Sequence, residues 1–258
     1  MKTSRIFIPV VLFLLTACAS NVAEPGTAPS ATVPPTEVPA TVAAPSSTDD
    51  AEMSPTVVPP VDEEKIQTEE QLVLASFTQP TTAAGETLIL YGHVLDGNGQ
   101  PLSGYAVEIW QVDANGSYDH PNDPSTQNRD RNFQFYGTST TDEYGLFAFR
   151  TIVPARYEPR PRHIHFKIKK DGVDVLTSQF YFSGDVEASQ FGAAGGMLLL
   201  DLNDTQDANR NPVKLAHKDL VLNAGTGETT TLTPSQMEGP YYPVVDVSMF
   251  DNDLANVQ

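Results

Sequence analysis

Residues 163–169 read His-Ile-His-Phe-Lys-Ile-Lys, polar and apolar in strict alternation. A period of two is the mark of a strand with one buried face. Pro154, Pro159 and Pro161 stand just upstream. They fix φ, remove backbone donors and exclude a helical approach. Ile164, Phe166 and Ile168 are therefore expected to face a core, with His163, His165, Lys167 and Lys169 facing the other way. Two imidazoles so placed stand roughly 7 Å apart at Cα. Two ligands of one metal ion use that spacing, and an ordinary half-exposed polar face also produces it.

The same reasoning places further strands at 87–95, 105–112, 134–140, 146–152, 174–182, 197–202 and 214–222. Clusters such as Asp96-Gly97-Asn98-Gly99 and Asp171-Gly172 separate them. No long amphipathic helix is evident. The expected fold is all-β: an antiparallel β-sandwich with long loops around an active site, over residues 70–231. The polar loop 119–131 is expected over the mouth of that site.

The first residues read as a targeting signal. Lys2 and Arg5 precede an apolar run of ten, Ile6 to Leu15, too short to span a bilayer and suited to secretion. Leu15-Thr16-Ala17-Cys18 resembles a bacterial lipobox, with cleavage after residue 17 and lipidation of Cys18. Lipidation also accounts for a cysteine without a partner in an exported chain. The expected location is the cell envelope, outside the cytoplasm, with Cys18 as the only membrane contact. Residues 18–69 read as a disordered tether. Nine prolines fall between Ala19 and Pro60, and between Glu24 and Glu70 there are ten acids and one base. This run carries much of the net charge of −18 and argues against nucleic acid or an anionic surface as partner.

With Cys18 the only cysteine, a thiolate metal cluster is excluded. Further ligands beside His163 and His165 must be oxygen donors, and a tyrosine phenolate suits ferric iron. Tyr157 lies six residues before His163, and Tyr118 closes the run Trp110-Gln111-Val112-Asp113-Ala114-Asn115-Gly116-Ser117-Tyr118. That run is followed by Thr141-Asp142-x-x-Gly145-x-Phe147-x-Phe149-Arg150-Thr151-Ile152-x-Pro154, by Arg160-Pro161-x-His163-Ile164-His165-Phe166 and by Gln179-Phe180-Tyr181-Phe182-x-Gly184-Asp185. Over roughly residues 86–186 the set resembles the intradiol ring-cleaving dioxygenases of the catechol and protocatechuate type.

The resemblance implies a mononuclear non-haem Fe(III) held by Tyr118, Tyr157, His163 and His165. It implies cleavage of a small aromatic diol by O2 to a cis,cis-muconate. Tyr157 would leave the metal as substrate binds, Arg160 would steady negative charge on the ring, and Gln179 would stand behind the ligands. The pattern departs from the family at Arg131 and Thr138, which bears on substrate preference.

Other features are read more plainly. Trp110 is expected in the core. His93 and His217 lie in ordinary strands and are not taken as ligands. His120 follows Tyr118, but the ligand set is complete without it. A rival reading is a non-catalytic carboxypeptidase-regulatory-like or adhesin-type sandwich module, which the glycine pattern around Gly92–Gly104 also resembles. Such a module requires neither tyrosine. Finally, Thr233-Pro234-Ser235-Gln236-Met237-Glu238-Gly239-Pro240-Tyr241-Tyr242-Pro243 resembles a pocket-lining motif that in the family precedes the sandwich. Here, in residues 232–258, it follows. A permuted segment is expected to fold back over the metal pocket with Tyr241 near substrate, within one chain or exchanged in a homo-oligomer.

Overall fold

The computed structural model describes residues 63–185, 196–224 and 231–257. The expected signal peptide, Cys18 and the tether up to residue 62 lie outside the described residues. A helix α1, Glu63–Ser76, comes first. It begins inside the stretch expected as tether, ahead of residue 70. Its signal is faint because its first turns are rich in acids; among the described side chains Val73 and Leu74 are buried, with Phe77 just past its end.

Ten strands follow: β1 Thr87–Leu95, β2 Ala106–Trp110, β3 Tyr136–Thr140, β4 Leu146–Ile152, β5 His163–Lys170, β6 Val173–Phe182, β7 Leu199–Leu200, β8 Asn203–Gln206, β9 Pro212–His217 and β10 Leu220–Val221. They form a sandwich of two sheets. In the first, β1 carries β4 on one side and β9 and β10 on the other, with β8 beyond β9. The second runs β3-β2-β5-β6-β7. The sheets are mixed rather than purely antiparallel: β1 pairs β9 and β10 in parallel, and β6 pairs β7 in parallel. Long connections return the chain to these strands, so hairpin geometry does not impose the direction. β8 escaped the sequence reading because Asn-Asp-Thr-Gln has no apolar face to alternate.

The core lies between the sheets. Leu88, Leu90, Val94, Phe147 and Phe149 meet Val107, Ile109, Ile164, Phe166, Ile168 and Phe180. Ile89, Tyr91, Val213 and Leu215, on the outer face of the first sheet, pack with Val73, Leu74 and Phe77 of α1 and its exit. Both faces of β1 are thereby buried.

The outer face of the second sheet is where the structure departs most from the sequence. His163 and His165 are 3% exposed and Lys167 is 4% exposed, rather than half-solvated. Residues 231–257 cover them. Gln236 N–H donates to Thr177 O, and Ser178 Oγ donates to Pro234 O, so the segment starts along β6. It then crosses β5 and β2. Lys167 Nζ meets Glu238 at 2.5 Å and lies 3.9 Å from the centre of the Tyr242 ring. Beyond a short 3-10 turn, Val247–Met249, the segment enters the seam between the sheets. Gln134 N–H and Arg150 N–H donate to Leu254 O and Asn252 O, and the carboxylate of Asp253 grips the buried Arg150 guanidinium.

Candidate metal centre and active site

The register of the second sheet builds the site's back wall. Trp110 on β2, His165 on β5 and Gln179 on β6 lie in one row. His163 pairs with Tyr181 in the next. Trp110, Gln179 and Tyr181 therefore share the face of His163 and His165. Trp110 is buried, as expected, but in the cluster beneath the covering segment rather than between the sheets, and it is a platform. Its ring stacks on His165 at 4.8 Å and 8°.

Two loops deliver the tyrosines. After β2 the chain turns on Asp113, whose carboxylate accepts from Asn115, Ser117 and Asp130 N–H groups. Asp123 accepts from Tyr118 N–H at 2.6 Å. The polar loop 119–131 thus braces Tyr118 at its backbone. His120 is buried in it, 5.5 Å from the ring of Tyr241. Between β4 and β5 a tight turn closes with Arg160 N–H donating to Tyr157 O at 2.7 Å. That turn carries Tyr157 and Arg160 to the site together.

The four expected ligands converge. Tyr118 Oη lies 3.3 Å from His163 Nε2. The rings of His163 and His165 are 4.8 Å apart, and those of Tyr118 and Tyr157 are 5.6 Å apart. His163 Nδ1–H donates to Pro161 O at 2.8 Å, which leaves Nε2 bare and aimed at Tyr118. His165 Nδ1 is buried without a hydrogen-bond partner. An orphan of that kind costs about 1–3 kcal/mol and is a reason to expect a bound ion.

Burial pulls the His163 pKa down to about 4, against a weaker opposite effect of the Pro161 carbonyl. Burial, then His163 and Arg160, hold His165 well below its ordinary value. Both imidazoles are neutral and have a lone pair to give. Burial pushes the Tyr118 hydroxyl far up, although Arg160 opposes it. Burial and the Tyr241 hydrogen bond push Tyr157 up to about 12. Phenols in this place ionise only beside a strong cation. The donor set, two oxygens and two neutral nitrogens, fits a metal ion whose charge would create the phenolates.

Arg160 Nη2 donates to Gln179 Oε1 at 2.5 Å and to Tyr181 Oη at 3.1 Å. Gln179 Nε2 donates in turn to Met237 O, and Tyr181 Oη to Gln236 Oε1. The guanidinium is thus held between the sheet and the covering segment. Tyr241 Oη meets Tyr157 Oη at 2.7 Å. Gly239, at φ 81, lies so close that a Cβ there would stand 3.2 Å from His165 Cε1. Both the backbone conformation and the approach favour glycine. The sequence assigns no individual role to Tyr181, Gln236, Tyr242 or Lys167: Lys167 is one of the alternating residues of β5, Tyr181 lies inside the 179–185 motif, and Gln236 and Tyr242 lie inside the 233–243 motif.

A family model described as Dioxygenase matches residues 60–224, more than half of the chain. The protocatechuate 3,4-dioxygenase beta chain of Burkholderia cepacia is 39% identical over 109 residues, which are 39% of this chain and 46% of that one. Catechol 1,2-dioxygenase of Acinetobacter baylyi is 35% identical over 119 residues, 39% of this chain and 37% of that one. The matches thus span less than half the length of these relatives. Among solved structures, the dioxygenase domain of a dioxygenase and carbohydrate-binding protein fusion from Streptomyces sp. SirexAA-E is 31% identical. That match has a TM-score of 0.47 and covers 57% of this chain and 86% of that one.

Proposed function

Since the chain belongs to the intradiol ring-cleavage dioxygenase family, we propose that it cleaves a catechol-type diol with O2, using a mononuclear ferric ion held by Tyr118, Tyr157, His163 and His165. The reaction adds both atoms of O2 across the bond between the two hydroxyl-bearing carbons and gives a cis,cis-muconate. The observation that carries this reading is the convergence of two phenols on two neutral imidazoles, one of which has an orphaned ring nitrogen. Hard anionic oxygen donors favour the ferric state. When bound, the iron supplies a Lewis acid that holds the diol oxygens and draws electron density from the ring.

The protein's own groups do the rest. His163 is fixed in one tautomer by Pro161, so it presents a lone pair without rearrangement. Tyr118 is buried and braced at its backbone by Asp123, and serves as the permanent phenolate. Tyr157 is half-buried and sits on a turn, and would be the more mobile of the two tyrosine ligands; its oxygen would be placed to accept one diol proton, with the Tyr241 hydroxyl 2.7 Å away to share it. Arg160, oriented by Gln179 and Tyr181, faces the place where negative charge grows on the ring. A preoriented cation there is worth most in a site screened from water. Residues 237–242 provide that screen.

The test is aerobic incubation of the purified protein with catechol and analysis of the product. A muconate is expected. A yellow semialdehyde, the product of cleavage outside the diol, would overturn the proposal. The proposal extends to location: lipidated Cys18 would hold the enzyme at the envelope. Cys18→Ser is then expected to release it from membranes, and unchanged fractionation would remove that anchor.

A further inference from the structure

On the far face of the molecule, His93, His217 and Asp219 come together, although the sequence reading set both histidines aside. His93 lies on β1 and His217 ends β9, both on the outer face of the first sheet with Tyr91. Asp219 sits in the short link from β9 to β10. Its Oδ1 lies 3.2 Å from His93 Nδ1 and 3.1 Å from His217 Nε2, and the three ligating atoms fall within 4.8 Å of one another. In a tetrahedral zinc site with bonds of about 2.0–2.1 Å, ligand atoms stand roughly 3.3 Å apart. Two of the three edges already have that length.

We propose that His93 Nδ1, His217 Nε2 and Asp219 bind a zinc ion that fastens helix α1 to the first sheet, separate from the diol site. Glu69 of α1 supplies the fastening. Its Oε2 lies 3.4 Å from His93 Nε2, the ring nitrogen that faces away from Asp219. A carboxylate on the far nitrogen of a metal-bound histidine fixes the tautomer and raises ligand basicity. His93 thus bridges a helical carboxylate and the metal. Water completes the fourth position, which the half-exposed His217 leaves open.

The site is built rather than incidental. The link that carries Asp219 is pressed onto β1: Lys218 N–H donates to Tyr91 O at 2.9 Å, and a Cβ on Gly92 would stand 1.9 Å from Lys218 O. Only glycine allows that approach. The backbone N–H of His93 donates to Asp219 Oδ1 at 2.9 Å, so the carboxylate is aimed before any ion arrives. The carboxylates of Glu69 and Asp219 stand on either side of His93, a charge arrangement that favours a cation.

The experiment is calorimetric titration of the full chain, iron included, with Zn2+ alone, alongside metal analysis. One zinc per chain is expected beyond the iron. His217→Ala is expected to abolish it with iron content and visible colour unchanged. Glu69→Gln is expected to weaken it about 10- to 100-fold. Zinc is also expected to raise the melting temperature of the wild type and not that of His217→Ala. A wild type that binds no zinc, or wild-type affinity in His217→Ala or Glu69→Gln, overturns the proposal. Because the readout is zinc rather than turnover, these outcomes stand apart from whether catechol is cleaved.

Discussion

The hydroxyls of Tyr157 and Tyr241 meet at 2.7 Å across 84 residues of chain. One belongs to the turn before β5 and the other to the segment that crosses the finished sheet. The pair ties Tyr157, proposed as the ligand that leaves, to the covering segment.

Tyr241→Phe removes that hydrogen bond and keeps the ring packed on Tyr118 at 4.9 Å. A bond of this kind is worth about 1 kcal/mol, or roughly five- to tenfold in rate. Turnover is expected to fall by that factor while the red-brown colour of tyrosinate-bound iron remains. Unchanged steady-state kinetics would leave Tyr241 as a packing residue only.

Arg160→Ala separates chemistry from metal binding. Loss of a preoriented charge at a developing anion costs about 10²–10³ in kcat. Iron content, measured by metal analysis, is expected to stay near that of the wild type. Parallel losses of iron and activity would make Arg160 a structural support for Gln179 and Tyr181.

The metal-free protein has a pH signature. His163 holds a pKa of about 4 when folded, against 6.5 for the free side chain. Between those values the unfolded chain binds the extra proton, so stability is full above pH 6.5 and is lost as pH falls towards 4. The contribution is on the order of 3 kcal/mol. Melting temperature is expected to drop across this window, and less steeply in His163→Gln. Equal slopes for the two proteins would contradict the buried, neutral imidazole.

Asp253 tests the seam. It accepts from Arg150 Nε at 2.7 Å and Nη2 at 2.5 Å, and Arg150 is 2% exposed. Asp253→Ala leaves a buried guanidinium unpaired, which costs about 3–5 kcal/mol. A urea midpoint lowered accordingly is expected, and a shift under about 1 kcal/mol would show that solvent reaches the pair. The same contact makes a point substitution at Tyr241 a cleaner probe of the roof than deletion of residues 232–258, which would also unpair Arg150.

The period-two run at β5 was enough to assign the strand and to separate Ile164, Phe166 and Ile168 from His163 and His165. The sandwich followed from the turn-bounded strands, and the order of the tyrosine and histidine motifs pointed to the ligands that converge. What stayed hidden was non-local. The burial of Lys167 depends on Glu238 and Tyr242, more than 70 residues downstream, and no local pattern encodes it. Helix α1 is stabilised by contact with β1 and β9 rather than by its own periodicity. His93 and His217 looked ordinary because parallel pairing of β1 with β9, which alternation cannot foretell, is what makes them neighbours.

The roof over the diol site follows every strand of both sheets in chain order. A chain that folds as it is made therefore pairs the strands of both sheets while His163, His165 and Lys167 still face water. During that interval a metal ion has an open path to its ligands. Once Gly239 settles on His165 and Leu254 enters the seam, the path narrows. If the proposed iron site is right, loading depends on timing as well as affinity, and iron supplied during folding is expected to fill the site faster than iron supplied afterwards.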